Sequence, residues 1–92
     1  MLKKYVEGQV PPLDAVFYFS AHWCVPCKMV KPIVDKSPVE VIEIDADKYP
    51  TIVLSFRVSS LPTILRTKDG IPVSRISGSH SEQEINDYLE KK

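Results

Sequence analysis

The chain has 92 residues, enough for one domain and too few for a partner domain, so a single domain over residues 1–92 is expected. Hydrophobic residues at 43% and charged residues at 26% are ordinary globular proportions and exclude a disordered chain. Twelve basic and twelve acidic side chains cancel, which leaves no bulk charge to attract nucleic acid or membrane, and neither is an expected partner.

In chain order, Leu2, Tyr5 and Val6 fall at helical spacing and Gly8 can stop them, so residues 2–7 read as a short helix. The two early lysines are followed by no apolar signal core, and no run reaches transmembrane length, so the expected location is the cytoplasm. Val10-Pro11-Pro12-Leu13-Asp14 is a stiff extended connector. Residues 15–20 are nearly continuous apolar, the pattern of a strand buried on both faces. A helix then opens at Cys24 and runs to about Lys36, with Met29, Val30, Ile33 and Val34 as its apolar stripe. Pro32 should bend it, because proline removes one hydrogen bond and crowds the preceding turn. Ser37-Pro38 ends that helix.

Residues 39–45 are β-branched and apolar-rich, a second strand that a helical connection should place parallel to the first in a right-handed β-α-β unit. Residues 50–56 read as a helix with Pro50 in its first turn and Ile52, Val53 and Phe56 inward. Residues 63–67 and 71–76 flank Lys68-Asp69-Gly70, a hairpin signal. Ser81-Glu82-Gln83-Glu84 is a capping box opening a last helix that packs Ile85, Tyr88 and Leu89 inward.

Cys24 and Cys27 are the only two cysteines, and they open a helix directly after a buried strand. A helix N-terminus carries about half a positive charge and unpaired N–H groups, so it favours thiolate over thiol. Thiolate is the attacking species in disulfide exchange, and the second sulfur lies one turn on, close enough to close a ring. The chain is therefore expected to make and break disulfides. Two cysteines are too few for the framework of a small secreted scaffold, and a bridge across so short a loop would stabilise little. His22 and His80 stand in no familiar zinc spacing, so no metal and no bound cofactor is expected.

The element order, α, β-α-β, α, then β-β-α, with the dithiol after the first long strand, resembles the thioredoxin fold, and the motifs resemble the thioredoxin family. The family signature W-C-G-P-C-K is matched by Trp23 to Lys28 at five of six places. Pro32 matches the helix-kinking proline after the second cysteine, and Ser60-Leu61-Pro62-Thr63 matches a loop ending in a cis proline and threonine. Gly78 matches a glycine lining the substrate groove. A lone Cys-x-x-Cys would be weak; these features in this order are specific.

Departures from the family carry their own implications. Thioredoxins begin with a strand before the first helix, and only fourteen residues precede Ala15, which implies a missing first strand and a four-stranded mixed sheet flanked by helices. The family's buried aspartate, six residues before the first cysteine, manages the proton of the second, and a lysine on the next strand partners it. Tyr18 and Val41 stand at those two places, so Cys27 is expected to lack a carboxylate nearby. Val25 in place of glycine is expected to stiffen the loop and alter the redox poise. Tyr18 reads as a core aromatic: with a phenol pKa of about 10 it cannot copy a carboxylate, although its hydroxyl can hold a water.

The resemblance implies a thiol–disulfide oxidoreductase that reduces protein disulfides, with Cys24 as the more exposed nucleophile forming a mixed disulfide and Cys27 as the buried resolving thiol. Trp23, packed over the dithiol, together with Pro26, Leu61, Pro62 and Gly78, would form the substrate surface. The Leu61 backbone would pair with an extended substrate segment. Electrons would come from a thioredoxin reductase or a glutathione-linked reductant, and the protein would act as a monomer. His22, Lys28 and His80 read as solvated residues. Two alternatives stand beside this reading. One is a glutaredoxin-like, glutathione-dependent enzyme, suggested by the short chain, although Pro26 stands where glutaredoxins usually place an aromatic. The other is a thioredoxin-fold binding subunit of a larger complex, in which Cys24→Ser would change nothing.

Overall fold

The computed structural model describes residues 1–91. In that span the strands are β1 (Leu2–Lys4), β2 (Ala15–Ser20), β3 (Val41–Asp45), β4 (Thr63–Lys68) and β5 (Ile71–Ser77), and the helices are α1 (Val25–Lys36), α2 (Pro50–Ser55) and α3 (Glu82–Glu90). The strands form one mixed sheet in the order β1-β3-β2-β4-β5. β3 runs parallel to both β1 and β2, while β4 is antiparallel to β2 and to β5.

The N-terminus departs from the sequence expectation. Residues 2–4 are a strand, not a helix, and the sheet has five strands rather than four. A short helix here would have no tertiary partner to repay its nucleation. The open edge of β3 offers a ladder instead, with Leu2 opposite Val41 and Lys4 opposite Glu43. The shortening thus falls on the segment between β1 and β2. Residues 5–14 contain no helix, because Gly8 takes φ +91° and Pro11-Pro12 lack the donors a helix needs.

Strand alternation divides the buried side chains between two faces. On one, Val16, Tyr18, Val41 and Ile64 pack under Val30 and Val34 of α1 and Ile85 and Leu89 of α3. On the other, Phe17, Phe19, Ile44 and Leu65 meet Ile52 and Val53 of α2 and its C-cap residue Phe56. The β4–β5 hairpin turns on Asp69 and Gly70, both at positive φ, +54° and +80°, the two-residue geometry that matches strand twist. The capping box of α3 is formed: Glu84 N–H donates to Ser81 Oγ at 3.1 Å and Ser81 N–H to Glu84 Oε1 at 2.9 Å. α1 therefore rests on a sheet of five strands, with its first turn at the carboxyl ends of β1, β3 and β2.

Candidate active site

β2 ends at Ser20, and Cys24 N–H donates to Ala21 O at 3.1 Å, which turns the chain into α1. Cys24 is the N-cap in extended conformation, and Pro26 sits in the first turn, where a missing N–H costs nothing. Cys24 and Cys27 are joined as a disulfide. The Cys27 N–H points at Cys24 Sγ, 3.3 Å away.

The two cysteines do not differ in exposure as expected. They are 4% and 3% accessible, because the closed bridge draws both sulfurs into a cluster with Ala21 and Leu61. What distinguishes them is electrostatic position: Cys24 takes the cap site and receives a backbone donor, as thiolates at helix N-termini do.

The Leu61–Pro62 bond is cis. Thr63 Oγ1 donates to Ser60 O at 2.7 Å, and Gly78 N–H donates to Pro62 O at 2.9 Å. Gly78 has φ +82°, a conformation that L side chains rarely adopt, and a Cβ there would meet nothing within 4 Å. Glycine serves the backbone turn here, not a close contact. Among the described residues no protein hydrogen bond engages the Leu61 backbone. Trp23 is 61% exposed, and its Nε1–H donates to Asp47 Oδ2 at 2.8 Å, which ties the indole to the surface turn before α2. Met29 also leaves the expected apolar stripe, at 73% exposure, because the α1 face it shares with Val25 points to solvent. His22 lies in solvent with Nδ1 3.5 Å from Asp47. His80 is half-buried, its Nε2 3.0 Å from Ser77 O.

Tyr18 is fully buried, a core aromatic as its sequence position implies, and its hydroxyl donates to Cys27 O at 2.8 Å. Burial pushes its pKa up to about 12, with a hydrogen bond to Ser20 opposing and the charge of Glu43 adding. The folded protein holds this proton where the unfolded chain, titrating near 10.0, releases it. Stability from this group is complete below pH 10 and is lost as the pH rises to 12, by roughly 2–3 kcal/mol. Urea unfolding between those limits should therefore show a falling midpoint, and Tyr18→Phe should flatten that fall.

Sequence reasoning missed Glu43. It pairs in register with Tyr18 and so projects from the same sheet face. Its side chain is 11% exposed, with Oε2 3.2 Å from Lys31 Nζ and 3.5 Å from Ser20 Oγ, which donates. Glu43, Ser20, Tyr18 and Cys27 border one cavity of about 590 Å³. A carboxylate borders the cavity that Cys27 also borders, on the neighbouring strand rather than on β2. Strand alternation in Val41-Ile42-Glu43 was the available signal.

A dithiol whose backbone favours thiolate at one sulfur and whose disulfide closes within a single helical turn defines a thiol–disulfide oxidoreductase. The family model named Thioredoxin matches residues 9–91, and the chain belongs to the thioredoxin family. A thioredoxin-like protein of Synechocystis sp. is 34% identical over 91 residues, covering 92% of this chain and 85% of the relative. A Staphylococcus aureus thioredoxin is 30% identical over 92 residues, covering 94% and 85%. A mutant thioredoxin from Halobacterium salinarum superposes with TM-score 0.73 at 28% identity, covering 85% of this chain and 73% of the other. Among the described residues, no helix is long and apolar enough to cross a membrane.

Proposed function

We propose that this oxidoreductase reduces protein disulfides through a mixed disulfide on Cys24. The observation that supports it most is the Cys27 N–H aimed at Cys24 Sγ, 3.3 Å away at a helix N-terminus, which lowers the cost of a thiolate at that sulfur. In the reduced protein the Cys24 thiolate attacks one sulfur of a substrate disulfide. The substrate S–S bond breaks, and its other sulfur leaves as a thiolate that takes a proton. Cys27 then loses its proton and attacks Cys24 Sγ, which releases the second substrate thiolate and forms the Cys24–Cys27 disulfide. Two electrons pass from protein to substrate. A thioredoxin reductase or a glutathione-linked reductant returns them.

Substrate would seat its extended backbone against Leu61, which packs on the dithiol cluster and has unengaged main-chain groups. Trp23, Pro26, Pro62 and Gly78 would border that seat. Glu43 would take the proton of Cys27, since both face the same cavity.

Catalysis of insulin reduction by dithiothreitol tests the activity, and a rate equal to that of dithiothreitol alone would end the proposal. Glu43→Gln tests the proton step. It should slow resolution of the mixed disulfide at neutral pH and let it recover as the pH approaches the intrinsic thiol value of about 8.5. An unchanged pH–rate profile would remove Glu43 from the mechanism.

A further inference from the structure

We infer that the cavity beside Cys27 binds a small organic anion, one carrying at least two carboxylate or phosphate groups on an apolar or ring-bearing body. Its volume of about 590 Å³ falls within the roughly 300–1,000 Å³ of small-molecule sites. It opens at the carboxyl ends of the parallel strands β1, β3 and β2, where open α/β sheets take their ligands.

The charge around it is unbalanced. Lys4 at the end of β1, Lys28 and Lys31 on α1, and Lys48 in the turn before α2 all border the cavity. Two carboxylates stand against them, and both are engaged. Glu43 pairs with Lys31. Asp45 Oδ1 accepts from the N–H groups of Asp47 and Lys48 at 3.0 and 3.3 Å. Lys4, Lys28 and Lys48 have no carboxylate partner among the described residues. Three cations from three parts of the fold thus face one concave space, whose walls focus their field on an anion. Their separate origins favour a ligand with more than one negative group.

One wall is aromatic. Tyr5 and Tyr49 meet edge to face with centroids 4.8 Å apart, and Lys48 Nζ lies 5.6 Å from the Tyr49 centroid. That surface suits the body of an organic ligand and would be wasted on a bare ion. Cys27 and Glu43 also border the cavity, so a ligand filling it would sit against the resolving sulfur and its proposed proton acceptor.

Calorimetric titration of the oxidised protein, which has no thiolate to react, tests the site with three probes: adenosine diphosphate, glutathione disulfide and inorganic phosphate. Binding of the nucleotide identifies phosphate on a ring as the preferred chemistry, and binding of glutathione disulfide identifies carboxylates; either result supports the site. Lys4→Ala with Lys48→Ala should weaken that binding about tenfold or more. Lys3→Ala with Lys68→Ala removes the same charge away from the cavity and should change it by less than about twofold. Added salt should weaken binding. The site is overturned if neither organic probe binds at low-millimolar concentration, if inorganic phosphate binds as tightly as they do, or if the distant pair matters as much. Insulin reduction by the Lys4 and Lys48 variant without probe should match the unaltered protein, which separates failure of this site from failure of the redox reading.

Discussion

Cys27→Ser should stop turnover completely while substrate accumulates on Cys24 as a stable mixed disulfide. Serine retains the backbone N–H that points at Cys24 Sγ, so the attacking thiolate keeps its stabilisation while the resolving sulfur is gone. Cys24→Ser should stop turnover as well but accumulate nothing, because no sulfur remains at the helix cap to attack. In the insulin assay both variants should fall to the rate of dithiothreitol alone. Non-reducing electrophoresis separates them, since the adduct appears with one variant and not with the other. Adducts formed by Cys24→Ser alone would reverse the two roles. Turnover surviving either change would show that the dithiol does not carry the reaction.

The largest effect on stability is expected at Tyr18. The side chain is 0% exposed and joins the core between sheet and α1, and its hydroxyl holds the carbonyl of Cys27. Tyr18→Ala should cost about 3–5 kcal/mol through lost burial and the cavity left behind. That is a large part of the 5–15 kcal/mol typical of a small domain, and the melting temperature should drop by well over ten degrees, at about 4–8 °C for each kcal/mol. Tyr18→Phe keeps the ring and should cost only about 1–2 kcal/mol, for the lost hydrogen bond from its hydroxyl to the Cys27 carbonyl. Tyr18→Asp should be worse at neutral pH than at acid pH, because it would bury a carboxylate facing Glu43, which lines the same cavity. A Tyr18→Asp protein that melts like the unaltered one at both pH values would mean that this position does not tie α1 to the sheet.

The fold was legible in sequence wherever a segment carried its own signal. Residues 15–20 are apolar without interruption, Asp69-Gly70 dictates a two-residue turn, and Ser81 with Glu84 marks a helix start. β1 carried no such signal. Three residues, two of them lysines, become a strand only because β3 has an unpaired edge, and helical spacing at Leu2, Tyr5 and Val6 was an accident of a short window. In the site, the dithiol was readable as a local motif, whereas the cis Pro62 and the place of Gly78 were readable only through the family resemblance. Glu43 was not readable, since its place on the Tyr18 face of the sheet depends on how β3 lies in register with β2. Nor was the equal burial of the two cysteines, which follows from the closed bridge.

The segment between β1 and β2 is fastened at its ends and not along its length. Tyr5 N–H donates to Glu43 O at 2.9 Å, Gly70 N–H to Leu13 O at 2.8 Å, and Asp69 N–H to Asp14 Oδ1 at 2.8 Å. Between these points Val10 is 92% exposed. Lengthening a surface loop costs little, about 0.6 kcal/mol for each doubling, and exposed tips accept inserted chain. A foreign peptide spliced between Gly8 and Val10 would extend from an exposed stretch that belongs to no strand or helix. The fold therefore comes with a built-in graft point, a place where cargo could be displayed on a redox protein.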